Sequence, residues 1–204
     1  MSKEKEPSIV PEQTEGTRKD IEHTVTAVDD NDARRIFLIA RNRLVDVNHW
    51  HEISTPGHFQ LTDKFGKEVD RTAEKEDYFK IDVKAPGPIE GSGYDWVFIE
   101  SIDDHSDPEG HEEHMAMRVR PSSNPAEASD NTAHFFTEAA TSSFIVRREG
   151  RMITASVFGR NEIPNTVTSN LLDKVRNAVV AVSAIAGLSN VQWKSLVKGF
   201  ISVE

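Results

Sequence analysis

The sequence predicts an α+β fold in which a curved antiparallel sheet of about six to seven strands wraps around a long C-terminal α-helix. Three observations predict it. One amphipathic helix is written early; about six strand-like segments with turn signals between them follow; the last quarter is helical. Strands joined by short turns pair antiparallel, and a single amphipathic helix after such a meander must cover one face of the sheet. A strongly twisted sheet of this size curls around that helix.

Residues 1–20 are rich in Glu, Lys, Pro and Thr and offer almost nothing to bury, so they read as a disordered acidic tail preceding a single domain over 21–204. IEHTVTAVD (21–29) alternates and reads as a first strand. A helix is expected over about 31–46. Asp29, Asp30 or Asn31 can cap it, and Ala33, Ile36, Phe37, Ala40 and Leu44 recur at helical spacing. A bend through NHWHEIS follows, and Pro56-Gly57 ends the segment.

HFQLTD then runs into the turn Lys64-Phe65-Gly66-Lys67, and DYFKIDV alternates Phe79, Ile81 and Val83 against Tyr78, Lys80 and Asp82. YDWVFIESID and EHMAMRVRPS flank the polar run DDHSDPEGHEEH, and ATSSFIVRREG pairs with RMITASVFGRNE across Glu149-Gly150. Leu172, Val175, Val179, Val182 and Ala186 form the buried stripe of the long helix. Gly187 stops it, and Ser189 with Gln192 resembles a capping box for a last turn or two carrying Trp193, Leu196, Val197 and Phe200.

Composition excludes several classes of function. The 204 residues carry 34 acids against 24 bases, a formal charge of −10 with no basic block, so phosphate-backbone binding and nucleic-acid partners are not expected. Nine acids and four bases lie between Ser2 and Asp32, which leaves the folded body closer to neutral. Without cysteine there is no disulfide, thiol catalysis or Cys-ligated zinc, which fits a reducing cytoplasm. No signal-peptide stretch is present, and the most apolar run, AVVAVSAIAGL, is too short to span a bilayer.

The element order, with NHWHEIS after the first helix and the Gly-bearing hairpin HFQLTDKFGKEV, resembles the START/Bet v 1-like (SRPBCC) superfamily over about residues 20–200. The resemblance implies a helix-grip fold with a cavity between sheet and helix for apolar ligands. Superfamily members include lipid carriers, cyclases, oxygenase subunits and chaperone regulators, so function has to come from the site. One longer helix is written here where the superfamily has two short ones framing the cavity mouth.

Few residues point to chemistry. In DDHSDPEGHEEH, His111 and His114 are three apart, which puts them on opposite faces of a strand, and the ordered acids of an EF-hand loop are missing. That run reads as a solvated hairpin tip. His49 and His51 would share a face of an extended segment and could bind zinc with Glu52, but they make an incomplete site beside a buried Trp50. No metal and no cofactor is assigned.

Arg118 and Arg120 share the face opposite Met115, Met117 and Val119, so they should point outward into cross-strand pairs with Glu100 or Asp82. An arginine turned inward would be a fixed cation for a ligand headgroup. No nucleophile elbow or phosphate-binding glycine loop is present, and no catalytic set stands out.

The favoured reading is therefore non-enzymatic binding of a small apolar or amphipathic molecule. Candidate lining residues are Trp50, Phe79, Trp96, Phe98, Phe144, Phe158 and Val179, with Tyr94 or Arg118 orienting a polar end. Alternation that is apolar on both sides leaves open which face of the strands is inward. Two alternatives stand beside this reading. One is an interaction module with a filled core, whose end VQWKSLVKGFISVE could pair two subunits. The other is a cyclase- or hydrolase-like enzyme using His134 or His23 as general base.

Overall fold

Seven antiparallel strands form one curved sheet in the order β1-β7-β6-β5-β4-β3-β2 in the computed structural model, which describes residues 8–54, 57–82, 94–107, 109–126, 136–163 and 193–203. The strands are β1 (Thr17–Thr26), β2 (His58–Thr62), β3 (Tyr78–Asp82), β4 (Asp95–His105), β5 (Glu112–Ser122), β6 (Thr141–Glu149) and β7 (Met152–Glu162). Neighbours in sequence are neighbours in the sheet from β2 to β7, and β1 closes onto β7. With the helical segments on one face, this is the α+β helix-grip arrangement that the element order predicts.

The first helix, α1 (Asp30–Val45), forms where the periodicity places it, and Ala33, Ile36, Phe37, Ala40 and Leu44 are its buried face. Asp29 caps it by accepting from the Asp32 amide at 2.8 Å. The expected bend through NHWHEIS is instead helical: a 3-10 turn (Val47–His49) leads into α2 (Trp50–Ile53). The break falls at Asp46, whose ψ of 64° leaves the helical range. Asn48 then ties the turn to the sheet, accepting from the Leu61 amide at 2.7 Å and donating to the Val69 carbonyl at 2.9 Å. The first helical region thus contains two helices, and the departure expected from the single long pattern disappears.

The tail boundary also moves. Residues 8–20 lie on the sheet: β1 begins at Thr17, and Ile9 and Val10 are buried with Ala116, Ile145 and Phe158 on the outer face. The Ile9 carbonyl accepts from Arg118 at 3.2 Å and Ser143 at 3.4 Å. Asn161 clasps the same segment, accepting from the amides of Thr14 at 2.8 Å and Glu15 at 3.2 Å. It does so with a left-handed backbone, φ 56°, which asparagine tolerates better than most residues. Gly16 makes the turn into β1 at φ +64°, where a Cβ would lie 2.7 Å from the Glu162 carbonyl oxygen. Composition alone hides this strap because its affinity comes from backbone pairing and two aliphatic side chains.

Residues 193–201 form a helix whose Leu196, Val197, Phe200 and Ile201 are buried. Arg43 on α1 holds its C-terminal carbonyls, donating to Gly199 at 2.9 Å and Ser202 at 2.6 Å. Gly199 is required by contact, since a Cβ there would collide with the Ile53 carbonyl oxygen. The long-helix stripe Leu172, Val175, Val179, Val182 and Ala186 lies outside the described residues.

Candidate functional site

Strand register decides which side chains share a face, because directly paired residues point the same way. Met117 pairs with Phe144 and Phe144 with Val157, and all three are in the main core. That is the inner face, covered by α1, α2 and the 193–201 helix. On β4, Val97 and Ile99 continue it, and a bulge between Ile99 and Ser101 returns Ile102 to the same side opposite Met117.

This register divides the predicted lining set. Trp50, Phe79 and Phe144 meet on the inner side. Tyr94, Trp96, Phe98, Arg118 and Phe158 lie on the outer side of the sheet, so they share no cavity with the first three. Phe98 packs its ring on Tyr78 at 5.0 Å, Lys80 sits 4.6 Å over the Tyr94 ring, and Phe158 lies under the strap. The cause is visible in YDWVFIESID: it is apolar on both sides, and the larger aromatic side chains are on the outer one. Val179 lies outside the described residues.

The arginines fall largely as expected. Arg118 and Arg120 point outward and both pair with Glu100, Arg118 at 2.8 Å. Arg160 is fully buried on the outer side against the Phe158 ring and pairs with Asp20 at 2.6 Å. Arg148 is the inward arginine, but its charge is already met. It donates to Glu113 and to the Gly110 carbonyl, each at 2.6 Å, and so braces the tip of DDHSDPEGHEEH.

The histidines do not converge on an ion. His105 and His114 are register partners with rings stacked at 5.4 Å, and His114 reaches Asp103 at 3.2 Å. His51 and His58 stack at 4.6 Å with 20° between planes, which sets their in-plane lone pairs side by side rather than at one point. Asp46 beside His49, at 2.8 Å, raises the pKa of that imidazole. Among the described residues no three His, Asp or Glu side chains are grouped to hold a metal. His23 lines a cleft of about 390 Å³ with Asp20, Ile21, Glu22, Lys194 and Lys198, a polar setting at the β1 edge. His134 lies outside the described residues.

At the α2 end the inner face is full. Trp50 has no exposed surface, donates its indole N–H to the Arg43 carbonyl at 2.9 Å, and is ringed by Phe59, Phe79, Phe144 and Phe200 at 5.2–5.7 Å. Trp193 adds an edge contact to Phe144 at 5.2 Å. These rings are mutual partners in a packed core.

A residue that the sequence reading passed over stands at the other end. Asp95 pairs with Ile81, which makes it an inner-face side chain beside Val97, and Ile81 in turn pairs with Phe59. Burial among these apolar groups pushes the Asp95 carboxyl up to about 7. Its signal was in DYFKIDV and YDWVFIE, since an Asp that pairs with a core isoleucine is out of pattern; only the register reveals the pairing.

No protein-family model and no curated protein sequence matches the chain. Solved structures to which the chain is similar include the Zhui aromatase/cyclase from Streptomyces sp. R1128, at 12% identity and a TM-score of 0.42, over 90% of this chain and 94% of that one. A truncated norcoclaurine synthase from Thalictrum flavum is 10% identical with a TM-score of 0.36, over 95% of this chain and all of that one. A START superfamily protein from Mycobacterium smegmatis is 12% identical with a TM-score of 0.32, over 84% and 96% of the two chains. No helix among the described residues is long and apolar enough to cross a membrane.

Proposed function

We propose that this protein binds a small apolar or amphipathic ligand, without catalysing a reaction, between the inner face of the sheet and its C-terminal helical segment, in the cytoplasm. One observation carries the reading. Apolar side chains on the inner face, Ile21 and Val25 on β1 and Val97 and Ile102 on β4, pack on the core but remain partly accessible. A concave apolar wall left partly uncovered is where a ligand gains burial.

Val97→Trp tests it. In an open site the indole occupies ligand space, so stability changes little while uptake of an apolar fluorescent probe is lost. In a filled core the same change costs about 1–3 kcal/mol by overpacking, and the wild type takes up no probe. Native mass spectrometry of the protein from a cell extract would show a bound small molecule directly.

The filled core around Trp50 favours a second reading, an interaction module whose interior is occupied by its own side chains. Its expected docking end is weakened as a surface, because Leu196, Val197, Phe200 and Ile201 face the chain's own core.

A further inference from the structure

We propose that Asp95 is the recognition group for a protonated amine on an otherwise apolar ligand, seated at the β2–β4 end of the inner face. This rests on the ligand-binding reading above and adds the chemistry of the ligand's head. The argument is one of unmatched charge. The fully buried carboxylates among the described residues each meet a cation. Asp77 takes a bidentate pair from Arg71 at 2.6 and 2.9 Å, Glu113 meets Arg148 at 2.6 Å, and Glu162 meets Lys19 at 3.4 Å. The Asp95 side chain is half-buried and has no hydrogen bond or ion pair among the described residues.

The geometry adds to this. Across the β3 ladder Asp95 faces Ile81 and, beyond it, Phe59, with Val97 next on its own face of β4, and none of these three side chains can donate. The nearest basic strand residue, Lys80, sits on the opposite face, paired with Glu68 at 2.6 Å and set over the Tyr94 ring. A carboxylate in an apolar wall is an unfavourable choice for packing alone, since leucine of similar size would avoid the desolvation cost and asparagine would avoid the charge. A ligand cation removes that cost and gains a charge-assisted hydrogen bond in a medium where such bonds are strong. An ammonium head with an aromatic or aliphatic body satisfies both the carboxylate and the partly accessible Val97.

The test uses two probes with one ring system and different heads, 2-naphthylmethylamine and 2-naphthalenemethanol, titrated by calorimetry into the full chain at pH 8 and pH 5.5. At pH 8 the amine should bind about tenfold more tightly than the alcohol, and Asp95→Asn should bring the ratio to about one with the alcohol unaffected. In the wild type the preference should shrink at pH 5.5, where the carboxyl takes up a proton. That comparison stands even if Asp95→Asn does not fold. Alcohol binding with no amine preference at either pH overturns this inference and leaves the ligand reading intact. Binding of neither probe overturns both.

Discussion

The two ends of the inner face are built on opposite terms. Around Trp50 the wall is closed by aromatic edges, and the indole N–H has its partner inside the protein. Around Asp95 the wall is also apolar, yet it carries an ionisable group without a counter-charge among the described residues. The first pattern maximises burial and uniqueness; the second gives up some stability at one position. Within one face of one sheet, the difference marks where packing alone no longer accounts for the residue chosen.

The largest expected effect breaks the packed end. Trp50→Ala should cost about 3–5 kcal/mol in urea unfolding, as large aromatic deletions from a closed core do. A cost below about 1 kcal/mol would mean that the rings around Trp50 tolerate a void, and the contrast between the two ends would vanish.

A smaller effect sharpens the open end. In the unfolded chain Asp95 titrates near 3.8, and in the folded protein near 7. Between those values the folded state holds a proton that the unfolded state has released. The contribution of this group is therefore fully present below pH 3.8 and is lost as pH rises through 7. Phe59, Ile81 and Val97 beside it on the inner face do not titrate, and Lys80 and Asp82 lie on the other face. The full shift corresponds to about 4 kcal/mol. Solvent reaching a half-buried carboxyl reduces this to about 1–2 kcal/mol. Wild-type stability should fall by that amount relative to Asp95→Asn between pH 4 and pH 8, and parallel pH profiles for the two proteins would remove the case for a buried carboxyl.

The smallest effect is a control away from both ends. Changing His105, His111 and His114 together to Gln should alter stability by about 0.5 kcal/mol or less, since His105 and His111 are exposed and His114 is partly exposed at the β4–β5 tip. Stoichiometric zinc or nickel in untagged protein, lost in the triple variant, would show that the tip is a metal site after all.

Much of the fold is legible in the sequence, and the site much less so. The α1 stripe and the β4–β5 and β6–β7 hairpins follow from period and turn chemistry, which are local properties. Trp50 is identifiable as an inner residue because it is the one large apolar side chain of the short polar segment NHWHE. Trp96, Phe98 and Phe158 are misassigned because their strands bury on both sides, and only the pairing with Arg120 and Ser143 tells which side is out. The strap fails for another reason: Ile9 and Val10 carry its apolar contact alone, too few residues for any periodicity to register. Asp95 escapes because a single acid acquires meaning only from the isoleucine across the ladder.

Pairing of β1 with β7 has a kinetic consequence. Thr17 meets Glu162, so the first strand of the sheet waits for the last. The β2–β7 meander relies on closer contacts and can assemble before this closure, which joins ends about 145 residues apart and grows slowly in cost with length. During synthesis the β7 edge and the apolar patch of Ala116, Ile145 and Phe158 stay open until the N-terminal residues return to them. Such an open edge is a template for pairing with another chain. Chains lacking the first 26 residues would keep that edge for good, and their hazard would be aggregation more than loss of the core.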